Sequence, residues 1–353
     1  MSTQAKKYTL GILILVIMGI ALFVSGTEKI GNITDSSPEI RNVTIAIVYK
    51  SGDDFSPVIN GFKDGVEKLL NEKTGVHIIY RMAEVNGEGQ AVYDAVAKSV
   101  VATKPDLIFA IAVNAVPAVM NATKGTSIPV VYTLGGDPVA LKYVESMQES
   151  KNNMTGVTWR AWELSGKRLE ALSRMKPNIK TVIMLTKKSG ASLPISLGAT
   201  QDTAKKLGIV LNTVEISTRK ELEHALFNID EEQVDAMFYI VDPFFVDNAD
   251  LLIATSISKK LPIVFHDKRQ VSRGALASYG ADYYAAGSQS SRLARKIIIG
   301  GLHPSQIPSE GVTKLQLVLN AHTANKMGIV FSDEMLTTAD EVIPVLLDPV
   351  KKQ

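Results

Sequence analysis

The chain contains no cysteine. That excludes disulfides, thiolate nucleophiles, cysteine-ligated zinc and lipid attachment to an N-terminal cysteine. An excess of either charge is also missing: 38 basic residues against 36 acidic ones leave a formal net charge of +2, spread along the chain. With no basic stripe to neutralise phosphates, nucleic acid is not expected as a partner. Signatures of catalysis are lacking too. There is no serine nucleophile elbow. Gly166 and Lys167 run into Arg168 without the upstream glycine of a phosphate-binding loop, and no dinucleotide-type glycine fingerprint follows the first candidate strand. Five histidines, His77, His224, His266, His303 and His322, are scattered without metal-ligand spacing and read as surface or internally satisfied residues. No catalytic residue, cofactor or metal is therefore expected. Repeats, low-complexity tracts and coiled-coil heptads are absent as well.

What remains is substantial. At 353 residues the chain suits two lobes of ordinary size, each able to bury its own core. Hydrophobic residues at 46% and charged residues at 21% exclude a disordered or multi-span membrane protein. Lys6 and Lys7 precede one long apolar run, Leu10 to Val24, and the small residues Ser25 and Gly26 follow it. This is the layout of a secretory signal over residues 1–26. The run is shorter than the roughly 20 residues that span a bilayer unless Tyr8 and Ser25 are counted, so a cleaved signal peptide and an uncleaved anchor both fit. Either places the rest of the chain on the periplasmic or extracellular face, with membrane contact through this segment alone. Residues 27–41 read as a linker, since Gly31, Asn32, Asp35, Ser36, Ser37 and Pro38 favour turns. Asn-x-Thr sequons at Asn32, Asn42, Asn121 and Asn153 hint only at surface loops.

From Val43 onward, β-branched apolar runs alternate with stretches of helical period. Val43 to Tyr49 precedes Phe55 to Leu70; Val76 to Met82 precedes Ala91 to Val101; Asp106 to Val113 precedes Ala115 to Ala122; and Ile128 to Thr133 precedes a helix expected to open near Asp137. Such repetition specifies an α/β protein with parallel sheet. Leu107 to Val113 is apolar on both faces, as a central strand covered by helices must be. After Thr155 to Trp159 the alternation resumes with a helix from Leu164 and continues to the long helix of Tyr283 to Ile299, so a second α/β lobe is required.

Five segments stand in register: GFKDGVEKL from Gly61, KPDLIFAIA from Lys104, GGDPVA from Gly135, NNMTGVT from Asn152 and ADYYAAGSQSSRLARKII from Ala281. With the closing Asn320 and KMGI from Lys326, they resemble the ABC-transporter substrate-binding family, whose better-known members look like aromatic or other amino-acid receptors. The resemblance implies the type I periplasmic binding protein fold, in which two doubly wound lobes meet at a three-crossing hinge. One lobe would comprise residues 42–156 plus 276–313, the other 157–275 plus 314–347, with 348–353 as a tail. It also implies capture of a small solute by hinge closure and delivery to an ABC permease and its ATPase. A membrane-tethered sensor reporting to a partner receptor is the alternative.

Doubly wound sheets bind ligands beyond the carboxyl ends of their strands. That rule selects Lys50, Ser51, Asp53 and Phe55 after the first strand, and Asn114 with Ala115 after the third, where a helix start offers N–H groups to a carboxylate. Asn114 reads equally as a helix cap. Asp137, before Pro138, is either an N-cap or a cleft acid facing a ligand ammonium. Trp159 is chosen as a stacking ring, with Trp162 assigned to the lobe surface. In the second lobe the rule selects Ser189 and Ser192, then Asp242 with Phe244, and Asp267, which could instead cap the next helix. At Asp242 to Phe245 the chain reads DPFF, departing from the polar dipeptide that family members commonly carry.

Overall fold

A computed structural model describes residues 41–52, 54–69, 75–87, 89–188 and 193–345. The signal or anchor segment, Asp53, Ser189 and Ser192 lie outside the described residues.

The first lobe is built on six strands: β1 (Arg41–Lys50), β2 (Val76–Val85), β3 (Leu107–Ile111), β4 (Val130–Thr133), β5 (Met154–Thr158) and β11 (Glu310–Gly311), in the order β11-β5-β4-β3-β1-β2. Pairing from β1 through β3, β4 and β5 to β11 is parallel. Successive side chains of a strand face opposite ways, and both faces are apolar. Ile45, Ile47, Phe109 and Val157 pack beneath α1 (Ser56–Leu69) and α10 (Tyr283–Ile298). Ala46, Val48, Ala110 and Tyr132 pack beneath α2 (Gln90–Ala102) and α3 (Ala115–Thr123). Helices α1 and α10 approach until backbones touch: a Cβ on Gly61 would lie 2.0 Å from the Tyr284 carbonyl oxygen, and one on Gly287 would lie 2.0 Å from that of Val58.

The second lobe has β6 (Thr181–Lys187), β7 (Val210–Ile216) and β8 (Ala236–Tyr239) in one sheet, ordered β7-β6-β8. A second sheet runs β13 (Glu341–Ile343), β12 (Leu315–Asn320), β10 (Ala277–Ala281) and β9 (Val264–Phe265). The Met237 N–H donates to the Pro262 carbonyl at 3.0 Å, joining the two sheets edge to edge. Around them lie α4 (Ser165–Met175), α5 (Leu193–Leu207), α6 (Arg219–Phe227), α7 (Pro243–Asp247), α8 (Ala249–Ser258), α9 (Lys268–Ser272), α11 (Ala321–Met327) and α12 (Asp333–Thr338). Apolar cores fill both faces here as well.

Three differences from the sequence reading have physical causes. No helix opens at Asp137. Its Oδ1 accepts the N–H groups of Val139 and Ala140, and Lys142 takes a positive φ of 57°, so the segment closes into turns. Ala277–Ala281 belongs to the second lobe, hydrogen-bonded between β9 and β12, so the second crossing falls after Ala281 and not at residue 276. The β10–β12 pair is antiparallel: the chain leaves the second lobe after β10, passes through α10 and β11 of the first lobe, and re-enters as β12 in the opposite direction.

Candidate functional site

The crossings place the carboxyl ends of both sheets around one cleft. Its volume is about 110 Å³; at the roughly 10–15 Å³ that one water needs, it holds on the order of seven to eleven water-sized groups. The first lobe contributes Lys50 and Phe55 after β1, Tyr93 from α2, Ile111 to Ala115 after β3, and Leu134 after β4. Trp159 and Trp162 come from the first crossing, and Tyr283 from the start of α10. The second lobe supplies Val241, Asp242, Pro243, Val246, Asp247, His266 and Arg269.

Six of the residues selected from sequence meet here: Lys50, Phe55, Asn114, Ala115, Trp159 and Asp242. Ala112, at the bend between β3 and α3, has φ of +75°, and its carbonyl accepts the Val116 N–H at 3.1 Å. This left-handed residue turns the chain sharply enough to start α3 inside the cleft, where its first N–H groups have no helical carbonyl to bond. Asn114 makes no side-chain cap, so it is the backbone that this turn presents. Asp242 Oδ1 accepts the Phe244 N–H at 2.9 Å, capping α7. Burial pushes the Asp242 carboxyl up, against smaller opposing effects of the Phe244 N–H and Lys187.

The remaining selections fall elsewhere. Ser51 donates its N–H to Val85 at 2.9 Å and is not part of the cleft wall. Asp137 lines a separate groove beside the first crossing, with Thr158, Arg160 and Thr313. Phe244 turns away: its ring packs edge-on against Phe245, with the Lys187 ammonium 4.3 Å from its centroid. Asp267 does cap its helix, through the Arg269 N–H, and is 2% exposed beneath the cleft surface. Its Oδ2 also accepts from Arg269 Nε at 2.8 Å and from the Tyr283 hydroxyl at 2.7 Å. It therefore acts on the cleft through those two neighbours. Burial alone would raise the Asp267 carboxyl, but the Arg269 guanidinium and its hydrogen bonds outweigh burial and hold it below the usual carboxylate value.

Several cleft residues escaped the sequence reading, Tyr93 and Asp247 among them. Trp162 is 8% exposed and lines the cleft instead of the lobe surface. Arg269 reaches across from the second lobe, its guanidinium carbon 4.8 Å from the Phe55 ring and 5.4 Å from the Tyr283 ring. Tyr283 stood in a segment noted only for register. His266, read as a surface or satisfied residue, is 3% exposed, and its Nε2 has no hydrogen-bond partner. A single histidine beside Asp267 carries no spacing signal that could have found it.

Among the described residues no group of His, Asp and Glu could hold a metal, and no helix is long and apolar enough to cross a membrane.

Comparison with known proteins agrees with this architecture. The profile of the family described as ABC transporter substrate binding protein matches residues 42–343. A tyrosine-binding protein of Clostridioides difficile strain R20291 is 24% identical over 329 residues, covering 90% of this chain and 91% of the relative. Among solved structures, the ABC domain in complex with L-Trp from Streptococcus pneumonia superposes with a TM-score of 0.70 at 22% identity, covering 86% of this chain and all of that one. A ligand-free, open substrate binding protein with adhesive properties from Clostridium difficile gives a TM-score of 0.65 at 22% identity, covering 85% of this chain and 99% of that one. At these identities the structural likeness establishes the fold.

Proposed function

Since the chain belongs to the ABC transporter substrate-binding protein family, we propose that it captures one amino acid with an aromatic or apolar side chain and presents it to an importer. The observation that carries this reading is the make-up of the cleft. Cations and acids line one small cavity together: Lys50 and the α3 start from the first lobe, Arg269, Asp242 and Asp247 from the second. Five aromatic rings, Phe55, Tyr93, Trp159, Trp162 and Tyr283, line the same cavity. A zwitterion matches that pattern. Its carboxylate suits a helix start and a guanidinium, its ammonium an aspartate, and its apolar remainder the aromatic faces. The names of the tyrosine-binding relative and of the L-Trp complex point to the same ligand class.

Closure follows from the geometry. The ligand touches both lobes only when they are together, which supplies the differential affinity that any population shift needs. The closed form then docks on a permease whose ATPase drives uptake. No bond of the solute is made or broken, so the chain acts as a receptor and not as an enzyme. Residues 1–26 serve as the signal or anchor that places it outside the cytoplasm, and residues 27–41 as its tether.

The test is a thermal-shift panel on the purified chain with amino acids, nucleosides and sugars. Ligand at 100 times its dissociation constant adds about 2.7 kcal/mol, so an aromatic or apolar amino acid should raise the midpoint clearly. Stabilisation by a sugar or nucleoside with none by any amino acid would overturn the reading.

A further inference from the structure

Two polar atoms of the cleft wall have no partner. Trp159 Nε1 and His266 Nε2 are both buried without any hydrogen bond, and their residues stand edge-to-face with ring centroids 5.2 Å apart. A buried donor left unpaired costs about 1–3 kcal/mol, so such groups in a ligand cleft point to what the ligand brings.

The indole nitrogen can only donate. The imidazole is assigned by its other neighbour. Its Nδ1 lies 2.6 Å from the Tyr239 hydroxyl, and that oxygen also accepts the His266 backbone N–H at 3.4 Å. Assigning the phenol hydrogen to Nδ1, since that oxygen already accepts the His266 N–H, puts the ring hydrogen on Nε2. Burial, with Arg168 and Arg269 adding to it against Asp267, depresses the His266 pKa to about 3, which keeps the ring neutral at ordinary pH. Trp159 and His266, with ring centroids 5.2 Å apart, thus carry two neutral N–H donors, distinct from the α3 start and Arg269, which suit a carboxylate.

We infer that the solute carries a neutral acceptor oxygen on its side chain, as a phenol does, and that Trp159 Nε1–H and His266 Nε2–H bind that oxygen and select for it. This rests on the amino-acid reading above and makes it narrower. A site that hydrogen-bonds a substrate hydroxyl rejects the analogue lacking it far more strongly than an apolar pocket rejects an extra methylene. Tyrosine should therefore bind much better than phenylalanine, although the two differ by one oxygen.

Titration calorimetry of the intact chain with L-tyrosine and L-phenylalanine tests this, in the wild type, in Trp159→Phe and in His266→Phe. Trp159→Phe keeps a ring and removes the donor. The wild type should bind tyrosine at least tenfold more tightly than phenylalanine, and each variant should lose most of that ratio, weakening tyrosine far more than phenylalanine. Equal wild-type affinities, or equal weakening of both ligands in Trp159→Phe, overturn the inference and leave the amino-acid reading standing. The wild-type ratio decides the matter even if a variant fails to fold. If no amino acid binds the wild type, both readings fall together.

Discussion

The Tyr283 hydroxyl donates to Asp267 Oδ2 at 2.7 Å, although Asp267 follows strand β9 of the second lobe and Tyr283 opens helix α10 of the first. The bond spans the second crossing. Arg269, held by the same carboxylate, lies over Phe55 of the first lobe. One buried carboxylate thus organises the cation and the phenol that close one end of the cleft.

Asp267→Asn should lower stability by about 2–3 kcal/mol, the usual range for a buried hydrogen bond to a charged group. Urea denaturation measures it. Because the native carboxyl is held below its unfolded value, its contribution is present above the ordinary aspartate pKa of about 3.9 and is lost as pH falls through the lower native value. The variant should lack that acid loss, and a wild-type curve unchanged by the substitution would contradict the assigned role.

His266 predicts a slope in a different window. Its native pKa is about 3, while an unfolded histidine titrates near 6.5. Between these values the unfolded chain binds one more proton than the native one, so stability drops as pH is lowered from about 6.5. For one proton the slope reaches about 1.4 kcal/mol per pH unit. Between pH 6.5 and 5 few carboxylates titrate, and His266→Phe should flatten the curve there when midpoints are compared with wild type.

Asp242 carries a prediction on binding. Asp242→Asn keeps an acceptor for the Phe244 N–H that caps α7 but removes the charge offered to an ammonium. Amino-acid affinity should fall at least tenfold, about 1.4 kcal/mol, with little change in the ligand-free melting temperature. In the wild type, affinity should weaken as pH descends into the raised titration range of this carboxyl, and in the variant that dependence should vanish. Calorimetry at several pH values distinguishes these outcomes from a purely capping role.

Gly287→Ala tests the helix pair that supports the Tyr283 end of the cleft. The added methyl would meet the Val58 carbonyl oxygen at 2.0 Å and the Phe62 nitrogen at 2.8 Å, and backbone cannot step aside as a side chain does. Overpacking of this kind costs typically 1–3 kcal/mol. Gly198→Ala, inside helix α5 with nothing within 4 Å, serves as the control and should raise stability by about 0.5–1 kcal/mol, since alanine loses less backbone entropy than glycine in a helix.

Some site residues were legible because their reason is local. Phe55, Asn114, Ala115, Trp159 and Asp242 each follow a β-branched apolar run, and strand ends of a parallel sheet face one cleft whatever else the chain does. Ser51 and Phe244 follow strands equally well, yet turn away, since side-chain direction within a loop depends on hydrogen bonds and rings contributed by distant segments. Asp137 shows the same limit at the level of an element. Its Pro138 and acid match a helix start, but the turn closes on Pro138 instead, where the Tyr143 N–H donates to its carbonyl at 2.7 Å.

The sequence by itself determined the α/β class, the two-lobed plan and the parallel character of the sheet that holds β1, β3 and β4. Apolar periodicity and strand-helix alternation are local patterns that only these layers can bury. Tertiary structure alone decided that β10 pairs within the second lobe, and that His266, Arg269 and Tyr283 meet Trp159 and Phe55 at one cleft. These contacts join residues more than a hundred positions apart across chain crossings. Their strength comes from burial, ring faces and a shared carboxylate, none of which exists until both lobes have folded.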